Sequence, residues 1–272
     1  MMDEKKLLEI TKKAKEIRAL TIDEIGYLGV GHLGGSMSVI EVLTVLYYYH
    51  MQIDPTNPRK PDRDQLILSK GHAGPALYSV LADKGYFPKE WLHTLNKGGT
   101  RLPSHCDRNL TPGIDMTTGS LGQGLSAAIG IALSHRIDGI NSKVFVIIGD
   151  GESNEGQVWE AAQAASHFKL NQIIAFTDYN KLQLDGFMHE IMSIEDITAK
   201  WVSFGWFVQR INGHDISQID LAITRAKKEP LRPSMIVIDT IKGKGVDFAE
   251  NQSNNHNIKM DYETALAAIE KL

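Results

Sequence analysis

Four short apolar runs along the chain predict the strands of a buried sheet. They are QLILS (65–69), VFVIIGD (144–150), QIIAFTD (172–178) and SMIVIDT (234–240). Each run is continuously apolar, which is typical of strands that are buried on both faces of a parallel sheet. Helical patterns lie between the runs, over 121–134, 156–168 and 216–228. Because strand and helix alternate, the sequence predicts an α/β fold with a doubly wound parallel sheet and helices on both faces.

The N-terminal part of the chain is predicted to be helical. Apolar positions recur at a helical period through residues 4–29, which predicts a long first helix ending near Gly26. A glycine-rich turn, GVGHLGGSMS (29–38), follows it, and we expect Ser38 to cap the next helix. Since no repeat or low-complexity linker interrupts the pattern, we expect residues 1–272 to form a single domain with an N-terminal helical arm.

Composition narrows the class of protein without identifying it. The hydrophobic fraction of 42% is ordinary for a globular core, and the net charge of -4 comes from mixed acidic and basic residues. No basic stripe indicates binding to nucleic acid or to a membrane surface. Cys106 is the single cysteine, and the segment from Met1 to Glu16 is too charged for a signal peptide. The apolar runs are too short to cross a bilayer, so we expect a cytoplasmic protein.

Polar residues follow the predicted strands, at the end of the sheet where ligands bind in such folds. Asp150 stands between two glycines after one run, and Asn180 follows the next run, 30 residues later. A GDG tripeptide alone is more often an ordinary turn, but its pairing with Asn180 changes that interpretation. A carboxylate repels phosphate unless a cation intervenes, and carboxylate and amide oxygens suit Mg²⁺ or Ca²⁺ bound with phosphate. The sequence predicts a metal site at Asp150 and Asn180, with the Leu182 carbonyl as a third ligand.

The segment GDGESNEGQVWEAAQAASHFKLNQIIAFTDYN (149–180) resembles the thiamine diphosphate fingerprint, with Tyr179 in place of the first of its two asparagines. Further segments are similar, in the same order, to those of the transketolase family, and the resemblance covers nearly the whole chain. They are GHLGGSMS (31–38), LSKGHAGPALY (68–78), LPSHCD (102–107), TTGSLGQGLSAAIGIAL (117–133), and KGKGV (242–246) followed by His256.

This resemblance implies the diphosphate-binding (PP-type) version of the thiamine diphosphate-binding fold and a role for each matching residue. Asp150, Asn180 and the Leu182 carbonyl would hold the metal. The cofactor would be contacted by His72, Gly119, Ser120, Leu121, Gly151, Asn180 and His256. The catalytic residues would be His32, His105 and His256, which would bind sugar hydroxyls and transfer protons, because histidine titrates near neutral pH.

The resemblance also implies a partner. In transketolases, the glutamate that activates thiamine diphosphate belongs to a pyrimidine-binding domain, and this sequence contains no such domain. We therefore expect a separate pyrimidine-binding subunit in an α2β2 complex, with this chain anchoring the cofactor and inactive alone. The complex would transfer a two-carbon ketol unit from a ketose or ketose phosphate to an aldose.

Alternatives remain open at this point. The metal motif also occurs in the synthase that condenses pyruvate with a triose phosphate and in 2-oxoacid dehydrogenase alpha subunits, and a non-catalytic partner could retain the fold. SKGHAGPALY and the histidines favour transketolase, and a scaffold needs neither Asp150 nor Asn180. The small-residue stretches LSAAIGIAL and EAAQAAS are expected either at a protein–protein interface or in ordinary helix-on-sheet packing. The donor and acceptor sugars stay open, among pentose phosphates, sulfonated sugars and branched sugars.

Overall fold

The computed structural model describes residues 1–184 and 186–272 of the chain. Its helices are α1 (Glu4–Leu28), α2 (Leu33–Met37), α3 (Ile40–Val45), α4 (Gly74–Asp83), α5 (Gln123–Ile137), α6 (Gly156–His167), α7 (Met188–Ile191), α8 (Ile197–Ser203), α9 (Ile216–Lys228) and α10 (Tyr262–Glu270). Its strands are β1 (Val30–Gly31), β2 (Gln65–Leu68), β3 (Val144–Gly149), β4 (Ile173–Tyr179), β5 (Leu182–Gln183), β6 (Gly186–Phe187), β7 (Phe207–Asn212), β8 (Ser234–Asp239) and β9 (Ile258–Lys259).

The central sheet is parallel throughout and has the strand order β2-β3-β4-β8-β7. Helices α5, α6 and α8 pack on one face, whereas α1, α3, α4, α9 and α10 pack on the other. Helix α8 connects β4 to β7, and α9 connects β7 back to β8, in the opposite direction across the sheet. Because such crossovers are right-handed, α9 lies on the face opposite α8. The predicted doubly wound α/β fold is confirmed.

Both faces of the sheet are buried in hydrophobic cores. Along β3, Phe145 and Ile147 belong to one core, while Val144, Val146 and Ile148 belong to the other. This two-sided burial explains why the strand runs are continuously apolar, and all four predicted strands are confirmed within one or two residues. The sequence did not predict β7, because this edge strand is only partly buried and carries polar residues among its apolar ones.

The first helix is confirmed, and it ends two residues beyond Gly26, near which its end was predicted. The helix continues to Leu28 and ends on Gly29, which adopts a left-handed φ of 88°. Gly26 serves packing instead, since a Cβ built on it would lie 2.2 Å from the Cβ of Ala265 on α10. The glycine lets α1 and α10 approach closely, near the position where α1 was expected to end.

The predicted capping role of Ser38 is wrong. Val39 precedes α3, and no side chain caps that helix. The Ser38 hydroxyl instead donates to the buried carboxylate of Asp178 at 2.7 Å. A hydrogen bond to a buried charge is stronger than one to a helix N–H group, which explains the choice of partner.

The two small-residue helices pack on the sheet. Their buried residues, which include Leu125 and Ala128 on α5 and Val158 and Ala162 on α6, belong to one hydrophobic core. Ordinary helix-on-sheet packing accounts for these residues. Within the described part of the chain, no helix combines the length and apolar character needed to span a membrane.

Candidate active site

The carboxyl ends of the central strands open into a cavity of about 320 Å³. Its wall contains all but one of the predicted site residues: His32, His72, His105, Gly119, Leu121, Asp150, Gly151, Asn180, Leu182 and His256. Ser120 lines a neighbouring cavity of about 570 Å³ instead, which shares His105 and Gly119 with the first. A larger cavity of about 780 Å³ is lined by residues of the segment 57–65, by Arg101 and by the segment 108–115, and by none of the predicted site residues.

Asp150 lies at the end of β3 with its carboxyl buried, only 2% exposed. The carboxyl accepts hydrogen bonds from the main-chain N–H groups of Gly151, at 2.8 Å, and Lys181, at 2.5 Å. Burial, together with the nearby charge of Asp178, raises its pKa to about 7. A bound divalent cation would oppose both effects and favour the ionised form.

Asn180 lies directly after β4, beside Asp150. Its amide is held at both ends, because Nδ2 donates to Asp178 at 3.1 Å and Oδ1 accepts from the N–H of Leu182 at 3.1 Å. Lys181 lies between Asn180 and Leu182 and adopts a left-handed φ of 65°. This turn brings Asn180 and Leu182 to the same cavity wall. The described residues include no cluster of three or more His, Cys, Asp or Glu side chains able to hold a metal. The carboxylate, amide and carbonyl oxygens of Asp150, Asn180 and Leu182 are of the kind that Mg²⁺ and Ca²⁺ accept as ligands.

Glycines keep the floor of the cavity open. A Cβ built on Gly151 would lie 2.9 Å from Cγ of Gln183, and one built on Gly35 would lie 3.0 Å from Nε2 of His72. Larger residues would fill the space next to Asp150 and His72. The hard oxygen donors and the glycine floor therefore fit a divalent cation that carries a diphosphate.

Four histidine rings lie together in the wall of the same cavity. The centroid of His32 lies 5.6 Å from that of His72, 5.5 Å from that of His105 and 5.2 Å from that of His256. The rings of His72 and His256 are 5.0 Å apart. Four segments that are distant in the sequence thus bring their imidazoles within reach of one small molecule.

Burial and neighbouring cations hold three of these imidazoles in the neutral form. Burial, followed by the charges of His105 and Lys242, lowers the pKa of His32 to about 4. Burial and the charge of Lys70 lower the pKa of His72 well below its usual value, and burial lowers that of His105. At neutral pH each of these rings offers one hydrogen-bond donor and one acceptor, as recognition of a hydroxyl requires.

Hydrogen bonds of the preceding residue, Asn255, hold the segment of His256 next to this cluster. The Asn255 amide donates to the carbonyls of Lys242, at 3.1 Å, and Ala249, at 2.7 Å. The Asn255 carbonyl accepts from the N–H of Gly34 at 3.1 Å, and β9 pairs with β1 just beyond. These contacts join the segment of His256 to the glycine turn that carries His32, although asparagine replaces the glycine usual after this histidine in the family.

Several residues of the site were assigned no role from the sequence. Lys70 and Asp178 form a fully buried ion pair at 2.5 Å. Glu152 accepts from Ser69 Oγ at 2.5 Å and from the N–H groups of Gly122 and Gly149, at 2.8 and 2.9 Å, which joins three segments of the site. Spacing carries no signal for pairs so far apart in the chain.

Lys242 was likewise missed. Its Nζ donates to the Leu184 carbonyl at 3.0 Å, and the residue lines the cavity. Its position in the KGKGV motif, beyond a strand, was the available signal.

The remaining six histidines lie outside the cavity wall, as expected of structural or surface residues. Four of them have polar partners: His50 with Asp220, His93 with Asp23, His135 with Ser142, and His214 with Glu41. His167 and His189 are exposed.

Comparison with known proteins identifies the family. The family described as transketolase, thiamine diphosphate binding domain, matches residues 10–271. The chain therefore belongs to the transketolase family and comprises its thiamine diphosphate-binding domain.

Individual relatives include separate subunits. The chain is 55% identical over 265 residues to the 6-deoxy-6-sulfo-D-fructose transketolase subunit SqwG of Clostridium sp. (strain MSTE9), covering 97% of this chain and 96% of that one. It is 36% identical over 264 residues to one subunit of the apulose-4-phosphate transketolase of Actinobacillus succinogenes, covering 96% and 95%. The solved transketolase of Campylobacter jejuni superposes with a TM-score of 0.91 at 30% identity, over 96% of this chain and 42% of that one. The chain thus spans about two fifths of that transketolase.

The raised pKa of Asp150 predicts a pH dependence of stability in the metal-free chain. The folded state binds this proton more tightly than the unfolded state, so its stabilising contribution is complete below pH 3.8 and is lost as the pH rises to about 7. Asp150→Asn should remove that loss and raise the free energy of unfolding at about pH 8 by on the order of 1–4 kcal/mol relative to the wild type. Urea unfolding with a chelator present, at about pH 4 and pH 8, measures the difference. Identical pH slopes in the two proteins would contradict the assignment.

Proposed function

We propose that this chain is the cofactor-anchoring subunit of a two-subunit transketolase. The observation that carries the proposal is a single cavity whose wall contains both the oxygen atoms of Asp150 and Asn180 and a cluster of four histidines. Two relatives that are similar to the chain over nearly their whole length are named as transketolase subunits, which supports the same conclusion. Those two relatives also favour transketolase over the synthase, dehydrogenase and non-catalytic alternatives.

The proposal assigns the metal and the cofactor to the strand-end side of the cavity. Asp150, Asn180 and the Leu182 carbonyl would hold Mg²⁺ or Ca²⁺ through hard oxygen atoms. The diphosphate would contact Gly151, with hydrogen bonds from His72 and His256. When bound, thiamine diphosphate supplies the nucleophilic carbon that carries the two-carbon unit between sugars.

The cofactor's rings would lie against a separate segment of the chain. Gly119 and Leu121 line the same cavity as the metal ligands. Ser120 faces the adjoining cavity, so its contact would come from the main chain or from that side.

The histidine side of the cavity would hold the sugar. His32, His105 and His256 would orient the hydroxyls of the donor ketose, each neutral ring donating at one nitrogen and accepting at the other. The same nitrogens would take up and return protons as the sugar's hydroxyl groups change ionisation. His32 and His72 are half-buried in the cavity wall.

A second subunit would complete the site. Leu121 and Leu184, both in the cavity wall, leave 39% and 59% of their surface exposed, which favours a partner that covers the cavity. The partner would bring the pyrimidine-binding domain and its activating glutamate, in an α2β2 complex. We place this complex in the cytoplasm, since the lone Cys106 is a buried thiol.

The donor proposed for the complex is a sulfonated ketose. The relative at 55% identity is named for 6-deoxy-6-sulfo-D-fructose, whereas the relative at 36% is named for apulose 4-phosphate. The closer similarity over nearly the full length favours the sulfonated sugar.

Cofactor binding should depend on a divalent cation and on Asp150. Titration calorimetry of the chain with its partner should show saturable binding of thiamine diphosphate in the presence of Mg²⁺ and none with excess chelator. Asp150→Ala removes a direct ligand, so it should weaken binding by more than the ~10–100-fold typical of outer-shell partners. Asp62→Ala, at an exposed turn outside the cavity wall, serves as the control. Failure to bind the cofactor with and without the partner would refute the proposal.

His105→Ala should slow ketose turnover without loss of the cofactor. Loss of a proton-transferring or hydroxyl-binding imidazole is expected to lower kcat/KM by roughly 10²–10⁴-fold. Steady-state kinetics of the reconstituted complex measure this, with thiamine diphosphate affinity determined in parallel. His167→Ala, on the exposed end of α6, is the matched control and should retain activity. Unchanged turnover in His105→Ala would exclude the residue from the reaction.

The reconstituted complex should prefer a sulfonated donor. We expect kcat/KM for 6-deoxy-6-sulfo-D-fructose to exceed that for D-fructose 6-phosphate by at least ~10-fold, the range reached when a site is matched to one terminal group. Competition between the two donors, followed by mass spectrometry of the products, measures the ratio. An equal or reversed ratio would refute the substrate assignment and leave the transketolase assignment standing.

A further inference from the structure

A buried carboxylate lies directly beneath the proposed metal ligands. Oδ2 of Asp178 accepts from Lys70 Nζ at 2.5 Å, from Ser38 Oγ at 2.7 Å and from Asn180 Nδ2 at 3.1 Å. Oδ1 accepts from the hydroxyl of Thr240. Asp178 is fully buried and does not line the cavity, so its carboxylate is out of reach of a ligand.

The contact with Asn180 determines which end of the amide faces the cavity. A carboxylate only accepts hydrogen bonds, so the Nδ2 end of Asn180 has to face Asp178. Oδ1 then points the other way, where one lone pair accepts from the N–H of Leu182 and a second remains for a cation. The amide is thereby set in the orientation that a metal ligand needs.

The same residue also supports the other proposed ligand. Asp178 on β4 lies opposite Gly149 on β3, and its main-chain carbonyl accepts from the N–H of Asp150 at 3.2 Å. One residue therefore contacts Asn180 through its side chain and Asp150 through its backbone. A displacement of Asp178 would disturb both.

Lys70 makes the buried carboxylate possible. Burial of Asp178 raises the pKa of its carboxyl, but the charge of Lys70 and the surrounding hydrogen bonds outweigh burial and lower it overall. Lys70 is 2% exposed and also donates to the Gly35 carbonyl at 2.8 Å. Removing either member alone would leave an uncompensated buried charge.

We propose that Asp178, neutralised by Lys70, is a positioning residue that holds the Asn180 amide with its oxygen toward the divalent cation. The inference rests on the proposed function, because it requires the metal to bind at Asn180. Without Asp178, the amide is free to turn, and its N–H end is no ligand for a cation. Outer-shell partners of this kind typically affect metal affinity by about 10–100-fold.

The test removes the ion pair as a unit, with Asp178→Leu and Lys70→Met together, because leucine offers Asn180 no acceptor. The full chain with its partner is held at saturating thiamine diphosphate and titrated with Mn²⁺, and free Mn²⁺ is read by electron paramagnetic resonance. The double variant is expected to bind Mn²⁺ about 10–100-fold more weakly. The matched control, Asp115→Leu with Arg63→Met, removes a second ion pair that is absent from the cavity wall and should leave Mn²⁺ affinity unchanged.

A second variant background, Asn180→Asp, distinguishes an effect on the orientation of the side chain at position 180 from a general structural effect on the site. In Asn180→Asp, the side chain carries two oxygen atoms, so it presents an oxygen to the cation in either orientation. Removing the Asp178 and Lys70 pair in that background is expected to cause no loss of Mn²⁺ affinity. Thermal unfolding monitors folding of every variant. If the double variant does not fold, Asp178→Glu keeps the charge beside Lys70 while displacing the carboxylate from Nδ2, and it should show the same weakened Mn²⁺ binding.

Three results would overturn the positioning role: unchanged Mn²⁺ affinity on loss of the pair, an equal loss in the Asp115 control, or an equal loss in the Asn180→Asp background. Failure of the wild-type complex to bind Mn²⁺ with thiamine diphosphate is a different outcome. It would refute the proposed function, and the positioning role with it.

Discussion

The parallel pairing of β3 with β4 is the constraint on which the site depends. Main-chain hydrogen bonds place Gly149 opposite Asp178. Asp150, the residue after Gly149, and Asn180, two residues after Asp178, therefore leave the sheet side by side. Parallel strands end at the same edge, and their unpaired ends there receive polar side chains without disturbing the apolar interior. A shift of one residue in this register would turn every side chain of β4 to the opposite face and separate the two oxygen donors.

Charge burial at this edge follows a consistent pattern. Asp178 has a buried cation, Lys70, and its carboxyl pKa is lowered. In the described part of the chain Asp150 accepts from main-chain N–H groups, and burial together with the charge of Asp178 raises its pKa to about 7. The carboxylate that lies outside the cavity is thus neutralised by the protein, and the one that lines it is left for a ligand to neutralise. A cation with an attached diphosphate suits that position because it brings its own counter-charge.

The oxygen donors and the histidine cluster are connected through the glycine-rich segment after α1, which contains α2 (Leu33–Met37). Lys70 reaches the Gly35 carbonyl, and Asn255 holds the N–H of Gly34, so the ion pair and the His256 segment both contact this segment. His32 lies on the same segment, within ring contact of the other three histidines. The Lys70–Asp178 pair and the segment of His256 therefore both contact the short backbone segment that carries His32.

The sequence by itself determined the fold class, the strand ends and most of the cavity wall, because continuous apolar runs and glycine-flanked polar residues are local signals. It predicted Asp150 and Asn180 for the same reason, whereas the roles of the histidines came from the resemblance to the transketolase family. The end of α1, the partner of Ser38, strand β7, the outward position of Ser120 and the Lys70–Asp178 pair required the tertiary structure. Each depends on what lies opposite in space: Ala265 against Gly26, or a carboxylate 108 residues from its lysine. Spacing along a chain does not encode such contacts, since only packing brings the two partners together.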